Sequence, residues 1–198
     1  QKIQVHHLRS VDGGLYAGGF FGLADVAGVA QVSGKDPNGS ETKLLSGLIK
    51  LGNTSVLDAF RTYIYDSKVT GVQDGLTVQA HTSQAPEGNF TETRYTGCAG
   101  GFGGGMMDGS VKNSAVSNLA NVEGLNYTGG FVGHLGKSGV ADIDDLSVLE
   151  KLLGGTVGAL DLFGSHVDNC SVAGFGLGTV IKAQGGQQPI AGGFAGYA

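Results

Sequence analysis

The sequence predicts an all-β fold: a right-handed parallel β-helix, or solenoid, with two short inserted α-helices. Three observations lead to this prediction. They are four copies of Gly-Gly-Phe, a strand motif that occurs three times, and a match between the two halves of the chain at one fixed offset. Motifs that recur together with their flanks indicate a repeat architecture, in which each repeat packs against its neighbours. The alternative is an antiparallel sandwich in which the Gly-Gly pairs occur by chance.

The Gly-Gly-Phe motif has similar flanks at all four places. Stacked coils superimpose equal positions, so the glycines are expected at tight corners that admit little side chain and often need a positive φ angle. The phenylalanines are expected to form one internal aromatic stack. The copies are Gly18-Gly19-Phe20, Gly100-Gly101-Phe102, Gly129-Gly130-Phe131 and Gly192-Gly193-Phe194.

The strand motif occupies residues 64–72, 111–119 and 167–175. Its pattern is an aliphatic residue, then Asn or Asp, a small Ser or Cys, a central Val, and Gly or Asn before a final apolar residue. Alternation around the Val is typical of a half-buried strand. Asn, Asp and Gly are turn residues that tolerate left-handed backbone. A strand with a turn at each end, and without a hairpin partner, indicates coils that stack on one another.

The two halves, about 16–102 and 127–198, align at an offset of 103 residues, which superimposes 75–80 on 178–183. The same offset aligns the strand motifs. Segments 43–51 and 144–153 have apolar residues at helical spacing, and the second is led by acidic residues and ended by two glycines, so both are predicted to be short amphipathic helices. Polar insertions at 33–42 and 82–92 have no counterpart in the other half.

Length and composition bound the class of protein. The 198 residues suit one domain, and the absence of an initiator Met suggests a fragment of a longer protein. The chain has 38 Gly but only 3 Pro, which excludes collagen. A net charge of −5 and 12 scattered basic residues argue against nucleic acid and anionic membranes as partners. No apolar run long enough to span a membrane is present, and the low charge content is common in extracellular β-rich proteins.

Residues that could carry chemistry are given structural interpretations. Cys98 and Cys170 are expected to be buried thiols rather than a disulfide, because the alignment puts them at packing positions. No metal site, cofactor or catalytic residue is predicted. The carboxylates at 142, 144 and 145 suit a helix start, although a calcium ion near them stays open. The histidines lack zinc-ligand spacing and are expected at the surface or in turns: His6, His7, His81, His134 and His166.

The candidate binding residues are aromatic or basic and belong to the first half. Tyr and Arg are the residues most enriched in binding hot spots. The alternative is that these aromatic residues pack the inserted loop onto a coil. A free strand edge could also pair with another chain. The candidates are Arg61, Tyr63 and Tyr65 on one outward strand face, and Phe90, Arg94 and Tyr95 in or beside the insertion.

Two stretches resemble a known repeat family. Residues 129–140, Gly-Gly-Phe-Val-Gly-His-Leu-Gly-Lys-Ser-Gly-Val, and 167–174, Val-Asp-Asn-Cys-Ser-Val-Ala-Gly, are similar to the GLUG-like repeats of Gram-positive surface proteins. The resemblance extends from about residue 16 to 198. It implies a β-helical segment of a large cell-wall-anchored protein of gut Firmicutes, exposed outside the cell. It also implies adhesion or capture of host molecules, which in some members include immunoglobulin.

Together these observations predict a non-catalytic surface adhesin that presents a β-helix face and inserted loops. The expected partner is a host extracellular protein, such as immunoglobulin, or a glycan, with no nucleic acid and no membrane insertion. One alternative is a β-helix polysaccharide lyase or hydrolase, which would need Asp, Lys and Arg clustered along one sheet face. Another is a stalk spacer in which no surface binds a partner.

Overall fold

The computed structural model describes residues 2–25, 62–82, 97–107, 109–136, 164–187 and 189–198. Eighteen β-strands and no helix lie in these ranges. The all-β class is therefore confirmed for the described part of the chain. Both predicted helices, at 43–51 and 144–153, lie outside it, as does the polar insertion at 33–42.

The strands fall into four successive sets along the chain. The first set is β1 (Gln4–Leu8), β2 (Ser10–Gly13), β3 (Tyr16–Gly18) and β4 (Phe21–Ala24). The second set is β5 (Thr62–Tyr65), β6 (Lys68–Gly71), β7 (Leu76–Ala80), β8 (Cys98–Gly100) and β9 (Gly103–Met107). The third set is β10 (Gly109–Lys112), β11 (Ala115–Gly124), β12 (Tyr127–Gly129) and β13 (Val132–Gly136). The fourth set is β14 (His166–Asp168), β15 (Ser171–Gly174), β16 (Val180–Ala183), β17 (Ile190–Gly192) and β18 (Ala195–Tyr197).

Strands of successive sets pair in parallel and form four sheets. Two four-stranded sheets have the orders β17-β12-β8-β3 and β18-β13-β9-β4, and a three-stranded sheet has the order β14-β10-β5. The seven-stranded sheet is built around the long strand β11, whose first part pairs with β6 and β15 and whose second part pairs with β7 and β16. In each sheet the sets therefore follow one another in chain order. Parallel pairing of all named strands contradicts the antiparallel sandwich within the described residues.

The register is the one that the sequence motifs predict from their first aliphatic residue to the central Val, and it shifts at the last motif residue, where Leu119 pairs with Leu76 and Gly174. Ile64 pairs with Val111, and Val111 with Val167, so the offset of 103 residues holds in the three-stranded sheet. Side chains from the central positions of these motifs point inward and build the core. Three columns that run across the sets illustrate this register: Val5–Val69–Val116–Val172, Val11–Val78–Val122–Ile181 and Phe20–Phe102–Phe131–Phe194.

The Asn/Asp positions of the strand motif are corners with left-handed backbone. Asp66, Asn113 and Asn169 have φ angles of 52°, 51° and 48°. Their side chains form a ladder, since the Asn113 amide donates to the Asp66 carboxylate at 3.2 Å and the Asn169 amide donates to the Asn113 carbonyl at 2.9 Å. Short polar side chains tolerate this conformation because they hydrogen-bond locally. The turn role predicted for these positions is confirmed.

The Gly-Gly pairs are needed for space and not for backbone conformation. None of the eight motif glycines has a positive φ, so that part of the expectation was wrong. An added Cβ at Gly100 would lie 2.7 Å from Phe131 O, and one at Gly129 would lie 2.7 Å from Phe194 O. Such distances are shorter than any real Cβ contact. Glycine therefore lets the backbones of neighbouring sets approach one another at the corners.

The four phenylalanines form the predicted stack. Ring centroids are 4.9 Å apart between Phe20 and Phe102, 4.6 Å between Phe102 and Phe131, and 4.9 Å between Phe131 and Phe194. The rings tilt by 8° or less against one another. This spacing is close to the usual separation of paired strands, about 4.7–4.9 Å, because the four rings belong to four strand sets that stack on one another at that distance. Phe102 and Phe131 are fully buried, whereas Phe194 is 36% exposed.

Candidate functional site

The three-stranded sheet β14-β10-β5 presents two tyrosines on its outer face. Along β5 the side chains alternate, so that Ile64 packs against the core while Tyr63 and Tyr65 point outward. Tyr63 is 41% exposed and Tyr65 is 39% exposed. Their ring centroids lie 5.8 Å apart, and the ring planes are inclined by 41°. The two rings therefore form one continuous aromatic surface on a short strand.

The neighbouring strands complete this surface with charged and polar side chains. Tyr65 pairs in register with Lys112, and Lys112 with Asp168, while His166 lies two positions before Asp168 on β14. The Lys112 Nζ lies 3.8 Å from the Asp168 carboxylate. We call the group Tyr63, Tyr65, Lys112, His166 and Asp168 the tyrosine face.

The tyrosine face lies at one edge of the described sheet, and its two rings are exposed. Among the described strands, β5 pairs only with β10, so it is the edge strand of this sheet in the described part of the chain. The ion pair beside the tyrosines is solvent-exposed and contributes only about 0–1 kcal/mol to folding. Its two charges can therefore reorient toward a partner at little cost in stability.

Of the six predicted binding residues, the structure describes two. Tyr63 and Tyr65 lie on the outward face, as the alternation predicts, and their role in binding stays a prediction. Arg61, Phe90, Arg94 and Tyr95 lie outside the described residues. The alternative, that the tyrosines pack the inserted loop onto the coil, involves the same undescribed segment. The carboxylates at 142, 144 and 145 also lie outside the described ranges.

The prediction that all histidines lie at the surface or in turns was wrong for His134. His134 is buried and its ring stacks on Tyr127 at 5.1 Å and on Tyr197 at 5.4 Å. Burial disfavours the charged imidazolium and lowers the pKa of His134 to about 4. Register explains the burial, because His134 faces Gly105 on one side and Tyr197 on the other. The other histidines are exposed.

A cleft of about 430 Å³ next to this stack was not predicted from the sequence. Its walls include His134, Gly136, Ser165 and Tyr197. The Ser165 hydroxyl lies 2.9 Å from Met106 O and 3.0 Å from Gly136 O. The hydroxyl proton is therefore shared between two backbone carbonyls, and Ser165 ties the fourth set to the second and third. Such a serine is a structural wall residue rather than an activated nucleophile.

The cysteines are free thiols, as predicted. Burial of Cys98 raises its pKa to about 12, which makes the thiolate inaccessible near neutral pH. Cys170 is only half-buried, so the expected burial holds for one cysteine and was wrong for the other. The Cys170 Sγ donates to Asp168 O at 3.3 Å, and partial burial raises the pKa of this thiol as well. Its lower burial follows from its place in the fourth set, the last of the stack.

Within the described ranges, no three His, Cys, Asp or Glu side chains are close enough to hold a metal ion together. The same ranges contain no helix that is long and apolar enough to cross a membrane. No protein-family model, curated protein or solved structure matches the chain. The tyrosine face and the fold that carries it are therefore the basis for a functional assignment.

Proposed function

We propose that the chain is a right-handed parallel β-helix and acts as a non-catalytic binding module on a bacterial cell surface. The support for the β-helix is the parallel pairing of four strand sets in chain order at nearly constant register. Crossover connections between parallel strands are right-handed in about 98% of cases, which supports the handedness. The resemblance to GLUG-like repeats supports the location outside the cell.

The single observation that carries the binding role is the exposed pair Tyr63 and Tyr65. Two tyrosine rings offer large amphipathic contact area, and each also carries a hydroxyl group for hydrogen bonding. Tyr is among the residues that contribute most to protein–protein affinity. The charged rim of Lys112 and Asp168 resembles the polar rim of such interfaces. The proposed partner is a host extracellular protein, for which immunoglobulin is the first candidate.

The stacked core supports display as the mechanism. Strand pairing holds β5 against β10, and β10 against β14, so the two tyrosines keep one arrangement before a partner binds. A preorganised contact surface loses less conformational freedom on association. In this proposal the solenoid is a stiff support, and the tyrosine face makes the contact.

Binding of purified immunoglobulin and of mucin glycoproteins to the immobilised 198-residue chain tests this function. The double variant Tyr63→Ala, Tyr65→Ala should weaken binding by about 30-fold or more, which corresponds to about 2 kcal/mol for a hot-spot pair. Leu177→Ala is the matched control, because Leu177 is fully exposed but lies away from this sheet. Thermal unfolding of both variants should remain close to that of the parent chain.

Two results would contradict the proposal. Equal binding by the double variant and the parent chain would exclude the tyrosine face as the contact surface. Release of unsaturated or reducing sugar ends from an acidic polysaccharide, with no change in the tyrosine variant, would favour the enzyme alternative.

A further inference from the structure

Within the described residues, no close contact explains why position 193 is a glycine. An added Cβ at Gly19 would lie 2.5 Å from Gly101 O, and a Cβ at Gly101 or Gly130 would collide with the carbonyl oxygen of the matching glycine in the next set. Gly193 occupies the same position in the fourth set, yet a Cβ there would meet no atom within 4 Å. Its φ is not in the left-handed region either. A strand set stacked on the fourth one would bring a carbonyl oxygen as close to Gly193 as Gly193 O is to Gly130, and would therefore account for a glycine at this position.

The core columns lose their burial at both ends of the stack. Val69 and Val116 are at most 1% exposed, and Phe102 and Phe131 are fully buried. The terminal members of these columns, in the first and fourth sets, are only partly buried or are exposed. These end residues are Val5, Val11 and Phe20 in the first set, and Val172, Ile181 and Phe194 in the fourth.

The two ends match one another in register. The columns pair Val5 with Val172, Val11 with Ile181 and Phe20 with Phe194 across the intervening sets. A first set placed on a fourth set would therefore bring together valine with valine, isoleucine with valine and phenylalanine with phenylalanine. The Phe194 ring would gain a stacking partner of the same kind as it already has in Phe131. A second copy of the chain would therefore supply a matching residue at all three columns.

Charge agrees with the same arrangement. The register runs from Asp12 through Gln79 and Glu123 to Lys182. Lys182 of one copy would thus face Asp12 of the next copy. Both side chains are exposed to solvent, at 46% and 72%, although each also has an intramolecular partner in Glu123 and His81. Opposite charges at this position favour the proposed register over one in which like ends meet.

We propose that the chain associates head to tail, with the first strand set of one copy pairing in parallel with the fourth set of another. This is strand addition at a sheet edge, in which backbone hydrogen bonds provide affinity and the side-chain columns fix the register. The contact is heterologous, so it leaves one free end on each copy and allows linear growth.

The glycine pair Gly130 and Gly193 gives a sharp test. Sedimentation velocity and light scattering of the 198-residue chain, from about 1 μM to about 1 mM, should show concentration-dependent dimers and longer species. Gly193→Ala should keep the melting temperature of the parent monomer and abolish association, because its Cβ collides only with a stacked copy. Gly130→Ala should lower the melting temperature, because its collision lies within the chain. Asp74→Asn, which changes an exposed side chain between β6 and β7 of the second set, should leave association intact.

Mixing two blocked variants tests the direction of association. Arg9 O and Gly13 O accept hydrogen bonds from β7 and the residue that follows it, so the intervening Ser10 points its N–H away from β7. Ser10→Pro removes that donor at the edge of the first set. Ser10→Pro and Gly193→Ala should each be monomeric alone and form only 1:1 dimers when mixed, since each retains one competent end.

Four other results would each overturn the proposal. A parent chain that stays monomeric at all concentrations would exclude a second copy as occupant. Association of Gly193→Ala equal to that of the parent would exclude the fourth set as the contact. Destabilisation of the Gly193→Ala monomer as large as that of Gly130→Ala would show that another segment of the same chain covers this surface. A dimer that survives in both blocked variants would indicate a symmetric contact elsewhere.

Discussion

The phenylalanine column provides the most quantitative prediction. Phe131 is fully buried and stacks on two rings, Phe102 at 4.6 Å and Phe194 at 4.9 Å. Phe194 has the same ring and the same motif but stacks on one ring and is 36% exposed. The two residues therefore differ in burial and in the number of stacked neighbours, and not in chemistry. Phe131→Ala should cost much more stability than Phe194→Ala.

The expected magnitudes follow from burial and stacking. Truncating a fully buried Phe to Ala costs about 3–5 kcal/mol, which includes the cavity that remains. For Phe194, the smaller buried area and a single stacked pair give about 1–2 kcal/mol. The difference between the two variants should therefore be about 2–3 kcal/mol. Phe131→Leu, which retains most of the volume but loses both stacked pairs, should fall between them.

Urea unfolding followed by circular dichroism measures these differences. With a slope of about 2 kcal/mol per molar urea, Phe131→Ala should lower the midpoint by about 1.5–2.5 M. The slope must stay unchanged, because repeat proteins can lose cooperativity and unfold in parts. A double-mutant cycle with Phe102→Ala isolates the stacked pair and should give a coupling of about 0.5–1.5 kcal/mol.

Two outcomes would refute this reasoning. Equal losses in the free energy of unfolding for Phe131→Ala and Phe194→Ala would mean that the two rings have equal burial and that the fourth set is not at the end of the stack. Additive effects of Phe102→Ala and Phe131→Ala would mean that the two rings are not in contact.

Three further predictions concern single positions. His134→Phe should flatten the fall in stability between pH 6.5 and 4. Between these pH values the His134 imidazole binds a proton in the unfolded chain but not in the folded chain. Up to about 3 kcal/mol of folding free energy is therefore present above pH 6.5 and is lost as the pH falls to 4. Urea titrations in which the variant loses as much stability as the parent chain would contradict this. In a Cys170→Ser variant, Cys98 should react with a disulfide reagent at about pH 8 only after unfolding, because the pKa of its thiol is about 12. Rapid labelling of the folded variant would show instead that the Cys98 thiol is accessible. Gly101→Ala should cost at least about 1–3 kcal/mol, because its Cβ would lie 2.8 Å from a leucine methyl carbon; a melting temperature equal to that of the parent chain would contradict the packing described for that corner.

The repeated motifs predicted the strand register because identical corners and identical inward residues must superimpose in a stack. Aligning Ile64, Val111 and Val167 by sequence produced the pairs that the structure contains. The same reasoning located the phenylalanine column. Where a position is defined by its repeat, local sequence carries enough information to place it.

Other features depended on neighbours that a single motif does not specify. His134 was predicted at the surface or in a turn, and this was wrong because its strand register places it between Gly105 and Tyr197, where it is buried. The signal that could have shown this is its position three residues after the Phe of Gly-Gly-Phe, which matches Leu23, Gly105 and Tyr197 in the other copies. The positive φ expected at the motif glycines was wrong because the constraint there is the distance between backbones. Tyr63 and Tyr65 were placed correctly on the outward face, since alternation alone decides which side a strand residue takes.

The cleft beside Ser165 could not be predicted from the sequence. It forms where the third and fourth sets meet, from residues that are far apart in the chain. The partial exposure of Cys170 and Phe194 has a similar origin, because it arises at the end of the stack and not from the residues themselves.

Cross-strand nuclear Overhauser effects test the central claim, the parallel stacking of the strand sets, most directly. If the sets stack in parallel, Val116 should show backbone contacts of the Hα-to-amide type characteristic of parallel strands, to residues next to Val69 on one side and to residues next to Val172 on the other. Strong Hα–Hα contacts, which occur only between antiparallel strands, would contradict the stacked architecture. So would the absence of contacts from Val116 to either neighbouring set.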